Sequence, residues 1–129
     1  MRTEGAVQYF CGGVGADERH AMKALEVEAN LKVLSVTKKR GGYLADATVT
    51  VSDGKATRFS GVADGPICLL HLPPGKYKVS ARLGDAVRAA NVEIGSQAGV
   101  LRQLAFEFPA EPWDGIWASD EEKQAARNP

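Results

Sequence analysis

From Tyr77 to Leu83 the chain alternates strictly, with Tyr77, Val79, Ala81 and Leu83 apolar and Lys78, Ser80 and Arg82 polar. A period of two puts every apolar side chain on one face of an extended strand, which a helix cannot do. A sheet of such strands has one apolar face and must bury it against another layer. Other short runs follow the same rule. Leu31 to Thr37, Ala47 to Ser52, Ala56 to Ser60, Ile67 to Leu72, Ala86 to Ile94 and Val100 to Phe108 are predicted strands. Asp53-Gly54, Gly61 to Pro66, Pro73-Pro74-Gly75, Gly84-Asp85 and Gly95 to Gly99 supply the turns between them. Seven short strands at this spacing predict an all-β, seven-stranded, two-sheet sandwich of Greek-key type.

The flanks differ from this pattern. Tyr9-Phe10-Cys11 runs into Gly12-Gly13-Val14-Gly15, which reads as a loop feeding a helix. Asp17 and Glu18 suit a first turn, with Gly15 or Asp17 as the cap. Met22, Leu25 and Ala29 then share one face of about four turns ending at Asn30. After Pro109 the chain carries Pro112, Trp113 and Trp117, and Ser119 with Glu122 fits a capping box for a short C-terminal helix; a frayed tail is the alternative. The expected organisation is a loop and helix over 1–30, a sandwich over 31–108 and a Trp-bearing extension over 109–129.

With 129 residues, 44% hydrophobic and 25% charged, the chain suits one globular domain. Sixteen basic residues balance sixteen acidic ones, which leaves no basic footprint for nucleic acid or an anionic bilayer. The longest apolar run, Ile67 to Leu72, is strand-sized, so no membrane span is expected. Met1 to Gly5 is not an apolar leader; either the protein is cytoplasmic or a leader precedes this numbering. Cys11 and Cys68 allow one intramolecular disulfide, favoured if the protein is exported; two unrelated thiols are the alternative.

Tyr43 to Val51 followed by Asp53-Gly54, then Asp64-Gly65-Pro66 and Leu72-Pro73-Pro74-Gly75-Lys76-Tyr77-Lys78-Val79-Ser80-Ala81, resembles the carboxypeptidase regulatory-like domain, a transthyretin-like (prealbumin-like) β-sandwich. The match covers Leu31 to Phe108. Gly13 to Arg19 also resembles the opening of a group of exported proteobacterial proteins that carry this domain. The resemblance implies an accessory, adhesive or binding module in the periplasm or outside the cell, with the cytoplasm as the alternative location. The expected partner is a protein or glycan of the envelope, with no cofactor, and the expected state is a monomer or weak homo-oligomer.

Catalytic chemistry is thinly represented. Only His20 and His71 are present, and alternation puts His71 on the sheet face opposite Leu70 and Leu72. Transthyretin-related enzymes that hydrolyse a urate-pathway intermediate use a His and Arg cluster and a Tyr-Arg-Gly-Ser-type end, whereas this chain reads Ala126-Arg127-Asn128-Pro129. The expectation is therefore a protein that is not an enzyme, with no catalytic, cofactor or metal residues; a hydrolase or ligand-binding enzyme using His71, or a fibre subunit joined by strand addition, are the alternatives. Lys32 and Glu107 could sit opposite each other for an isopeptide, but exposed alternating residues is the stronger reading. Gly12 to Gly15 before a helix has the look of a phosphate loop, against which Asp17 and Glu18 argue. Lys38, Lys39, Arg40, Trp113 and Trp117 are the expected partner contacts.

Overall fold

The computed structural model describes residues 2–37, 44–97 and 99–108. Among these residues nine strands form two sheets, and one short helix lies near the N-terminus. The strands are β1 (Arg2–Glu4), β2 (Val7–Gly12), β3 (Leu31–Thr37), β4 (Thr48–Ser52), β5 (Thr57–Val62), β6 (Ile67–His71), β7 (Gly75–Leu83), β8 (Ala86–Ile94) and β9 (Arg102–Phe108). One sheet has the order β1-β2-β6-β3-β9 and the other β5-β4-β7-β8. All pairings are antiparallel except β3 with β9. The all-β sandwich is as the alternation predicts.

The core lies between the sheets. Leu31 and Val33 of β3, Val49 and Val51 of β4, Phe59, Val79 and Phe108 are all buried there. Each belongs to the apolar phase of its strand, so alternation in sequence becomes a packed layer in space.

Two strands exceed the predicted seven. Residues 2–12 enter the five-stranded sheet as a hairpin with a Gly5-Ala6 turn, and β2 pairs along β6 from Gln8↔His71 to Gly12↔Ile67. Gly5 has a φ of 58°, which a tight hairpin turn needs and a Cβ resists. Val7, Tyr9 and Cys11 take the inward phase, so the N-terminal segment is part of the sandwich and not only packing on its outside. Cys11 and Cys68 stand opposite each other in the β2–β6 ladder and are joined by a disulfide.

The helix α1 (Ala16–Leu25) is shorter than expected and passes into a 3-10 turn, Glu26–Glu28. Its cap is Gly15, and Glu18 bends back so that its Oε1 accepts from the Gly13 and Val14 N–H groups at 3.1 and 2.9 Å. Met22 and Ala29, with half-buried Leu25, pack on Ile67 and Leu69, which point away from the core. Helix and 3-10 turn thus cover the outer face of the five-stranded sheet around β6, while the outward residues of β1 and β9 stay exposed. The chain leaves the helix early because Asn30 is used in the ladder. Its Nδ2 donates to the Leu72 carbonyl and its Oδ1 accepts from the Leu72 N–H, both at 2.9 Å. The Asn30 backbone joins Leu70 and Arg102 as well, so it ties β6, β3 and β9 at one end.

Candidate functional site

The outer face of the four-stranded sheet is uncovered in the described residues. The pairings Ser60↔Thr50, Thr50↔Ser80 and Ser80↔Ala89 set a row of small side chains across all four strands. Beside it, Thr48 pairs with Arg82 on one side, and Ser52 pairs with Lys78, which in turn meets Asn91. Lys76 follows on β7, opposite Glu93. Lys76, Lys78, Arg82 and Asn91 are exposed. The face therefore carries hydroxyls, an amide and three cations along one strand, with Glu93 as the facing anion.

At one end this face opens into a shallow hollow of about 470 Å³, lined by Asp53, Lys76, Lys78, Asn91 and Glu93, with Tyr77 and Val92 beneath. Two anchors fix its rim. The Asp53 carboxylate accepts from the Lys55 and Ala56 N–H groups at 2.9 and 3.0 Å, and from Arg58 Nε at 2.7 Å. The Ala56 and Lys55 backbone bonds, then Arg58, hold its carboxyl well below the usual carboxylate range. Tyr77 is buried and its hydroxyl donates to the Pro73 carbonyl at 2.7 Å, which closes the Pro73-Pro74-Gly75 turn onto its own strand. Burial, and then the Asp53 charge, push the Tyr77 hydroxyl up in pKa, so it stays a donor through the physiological range.

The residues singled out from sequence are dispersed. His71 is exposed at the end of β6, paired with Gln8, and no carboxylate lies in bonding reach among the described residues. His20 is exposed on α1. Lys32 forms an ion pair with Glu26 at 2.9 Å and sits opposite Gln103, whereas Glu107 sits opposite Val36; the two ends of the considered isopeptide are apart. The glycine loop holds the Glu18 carboxylate where a phosphate would bind, so its Gly13 and Val14 N–H groups are already satisfied. Lys38, Lys39, Arg40, Trp113, Trp117 and the C-terminal helix fall outside the described residues. No three of the described His, Cys, Asp and Glu residues stand together as a metal-ligand group, and no described helix is long and apolar enough to cross a membrane. The basic row on β7 was legible as the polar phase of the alternation, but nothing in the sequence distinguished it from an ordinary solvated face.

No family model matches the chain, and no curated protein matches it. Among solved structures, the 5-hydroxyisourate hydrolase of Klebsiella pneumoniae is similar over 63% of this chain and 84% of its own, at 15% identity and a TM-score of 0.49. That likeness is one of strand arrangement alone. It also corrects one expectation. The neighbour is an enzyme, so a lack of familiar catalytic motifs does not separate this chain from enzymes, and the expectation that it is not one is withdrawn.

Proposed function

We propose that the protein is a module of the bacterial cell envelope, in the periplasm or outside the cell, which binds an acidic glycan on the bare face of its four-stranded sheet. One observation carries the reading. Lys76, Lys78 and Arg82 project from one strand among hydroxyls of Thr48, Thr50, Ser52 and Ser80, on the sheet face that no described element covers. Cations set among fixed hydroxyls and an amide suit a polymer that presents carboxylates or phosphates between sugar hydroxyls. The Cys11–Cys68 disulfide supports export, because such bonds persist in oxidising compartments. Lys38, Lys39, Arg40, Trp113 and Trp117 remain proposed partner contacts of the same chain.

Calorimetric titration with oligogalacturonate, with neutral dextran as control, tests the reading. Binding of the acidic polymer alone, weakened by salt and at least tenfold by Lys78→Glu with Arg82→Glu, is the expected result. Equal binding of dextran, or charge-reversed protein that binds as well as the parent, contradicts it. Intact mass after alkylation without reduction, on protein from its own host, tests the location; two alkylated thiols remove the support for export.

A further inference from the structure

A second cleft lies on one side of the sandwich, between the N-terminal hairpin and β5, with a volume of about 320 Å³. Two strand edges face it. Among the described residues β5 is the edge strand of its sheet, paired only with β4. β1 covers β2 only from Val7 to Tyr9, which leaves Phe10 to Gly12 without a neighbour on that side among the described residues. Edge N–H and C=O groups are ready to pair with any extended chain, and proteins usually block them. The block here is slight. The Ser60 N–H, which points away from β4, is met by Glu4 Oε2 at 3.3 Å, a long bond from a side chain in the place a neighbouring strand would take. Alternation puts the Val62 N–H on the same outward side, since Gly61 and Ala63 face β4.

The opposite side of the sandwich shows what a firmer block looks like. There Arg88 of β8 donates from Nε to the Glu107 carbonyl at 2.9 Å, and its guanidinium lies 5.7 Å from the Phe108 ring centroid. The β8 and β9 edges are tied to each other, while the β2 and β5 edges leave a space.

That space has a definite chemistry. Its inner wall is the half-buried Tyr9, backed by the buried Phe59, with the two tilted ring centroids 4.8 Å apart. Its rim carries Glu4, Glu18 and Asp64 against Arg2, an acidic excess in a chain of zero net charge. Aromatic faces beside carboxylates attract an ammonium or guanidinium group. We infer that the cleft docks an extended peptide segment of a partner protein, which adds a strand to β5 and places a Lys or Arg side chain between the Tyr9 ring and the acidic rim. This site adjoins the sheet face along β5, at Ser60 and Val62, but its ligand has the opposite charge, so either can fail without the other.

The probe is a blocked five-residue peptide alternating valine and lysine, with the valine–glutamate peptide as control, added to the full chain. Anisotropy should show the lysine peptide bound at least tenfold more tightly than the control, and hydrogen exchange should slow at the Ser60 and Val62 amides. The double variant Glu4→Gln, Asp64→Asn should lose at least threefold in affinity with an unchanged melting temperature, and oligogalacturonate should not compete. Equal binding of both peptides, or no protection at Ser60 and Val62, overturns the inference. So does protection that exists without peptide and rises with protein concentration, which would assign the cleft to a second copy. Protection lost on deleting residues 109–129 overturns it too, by giving the cleft to the chain's own C-terminal segment.

Discussion

The two sheets of this sandwich obey the same alternation yet differ on their outer faces. The outward phase of the five-stranded sheet includes Phe10, Leu34, Ile67 and Leu69, so β6 is apolar on both sides, and α1 lies over it with Met22 and Leu25. The outward phase of the four-stranded sheet is mostly polar, with Thr48, Thr50, Ser52, Ser80, Lys76, Lys78 and Arg82 beside the exposed Val62 and Val87, and no described element lies on it. Side-chain chemistry on the solvent phase thus decides which sheet gains a third layer. The covered face is spent on stability, and the bare face remains free to meet a partner.

The comparison can be broken by unequal responses to mutation and solvent. The largest effect should come from reducing Cys11–Cys68 within the covered sheet: the bond closes a loop with a sequence separation of 57, and its loss should lower the unfolding free energy by about 4 kcal/mol in urea titrations. Leu69→Ala, under α1, should cost about 2–5 kcal/mol by the same measurement, because Leu69 is fully buried and the helix cannot fill the gap. A cost within about 0.5 kcal/mol, the range of ordinary surface changes, would mean that the helix does not cover this face.

Tyr77→Phe removes one hydroxyl at the edge of the bare sheet and should cost about 1 kcal/mol, the loss of its bond to the Pro73 carbonyl. Asp53 should appear as a pH effect. Its folded carboxyl titrates below the ordinary value of 3.8, so the unfolded chain takes up protons first; the stabilisation is present above that value and is lost as pH falls through the folded one. Asp53→Asn should flatten this acid limb in melts taken across the range. The smallest change is expected from Thr50→Ala with Ser80→Ala, within about 0.5 kcal/mol in stability, while oligogalacturonate binding weakens. A large loss of stability there would show that the hydroxyl row is structural.

Much of the sandwich was legible in the sequence because burial enforces the period. Predicted and observed bounds coincide for Leu31 to Thr37 and Ala86 to Ile94, and elsewhere differ by one or two residues. The hairpin at 2–12 was missed because Gly12-Gly13 and the aromatic pair Tyr9-Phe10 mask its phase; Val7, Tyr9 and Cys11 at a spacing of two were the signal that could have found it. The helix end was misplaced because Asn30 reads locally as a stop, while its role, a bond to Leu72, involves residues far apart in sequence. Gly65 shows the same limit. It looks like one more turn glycine, but a Cβ there would run into the Gly12 backbone, a contact that only the folded chain creates. The candidate site was least legible. A polar strand phase reads the same whether it meets water or a ligand, and only the sheet order shows that no described helix covers it.

The most direct test is amide chemical-shift mapping of the labelled protein during titration with oligogalacturonate. The account predicts shifts concentrated at Lys76, Lys78, Ser80, Arg82 and Asn91, with α1 and β6 unchanged. Shifts confined to α1 and the five-stranded sheet, or no saturable shifts at low salt, would contradict it.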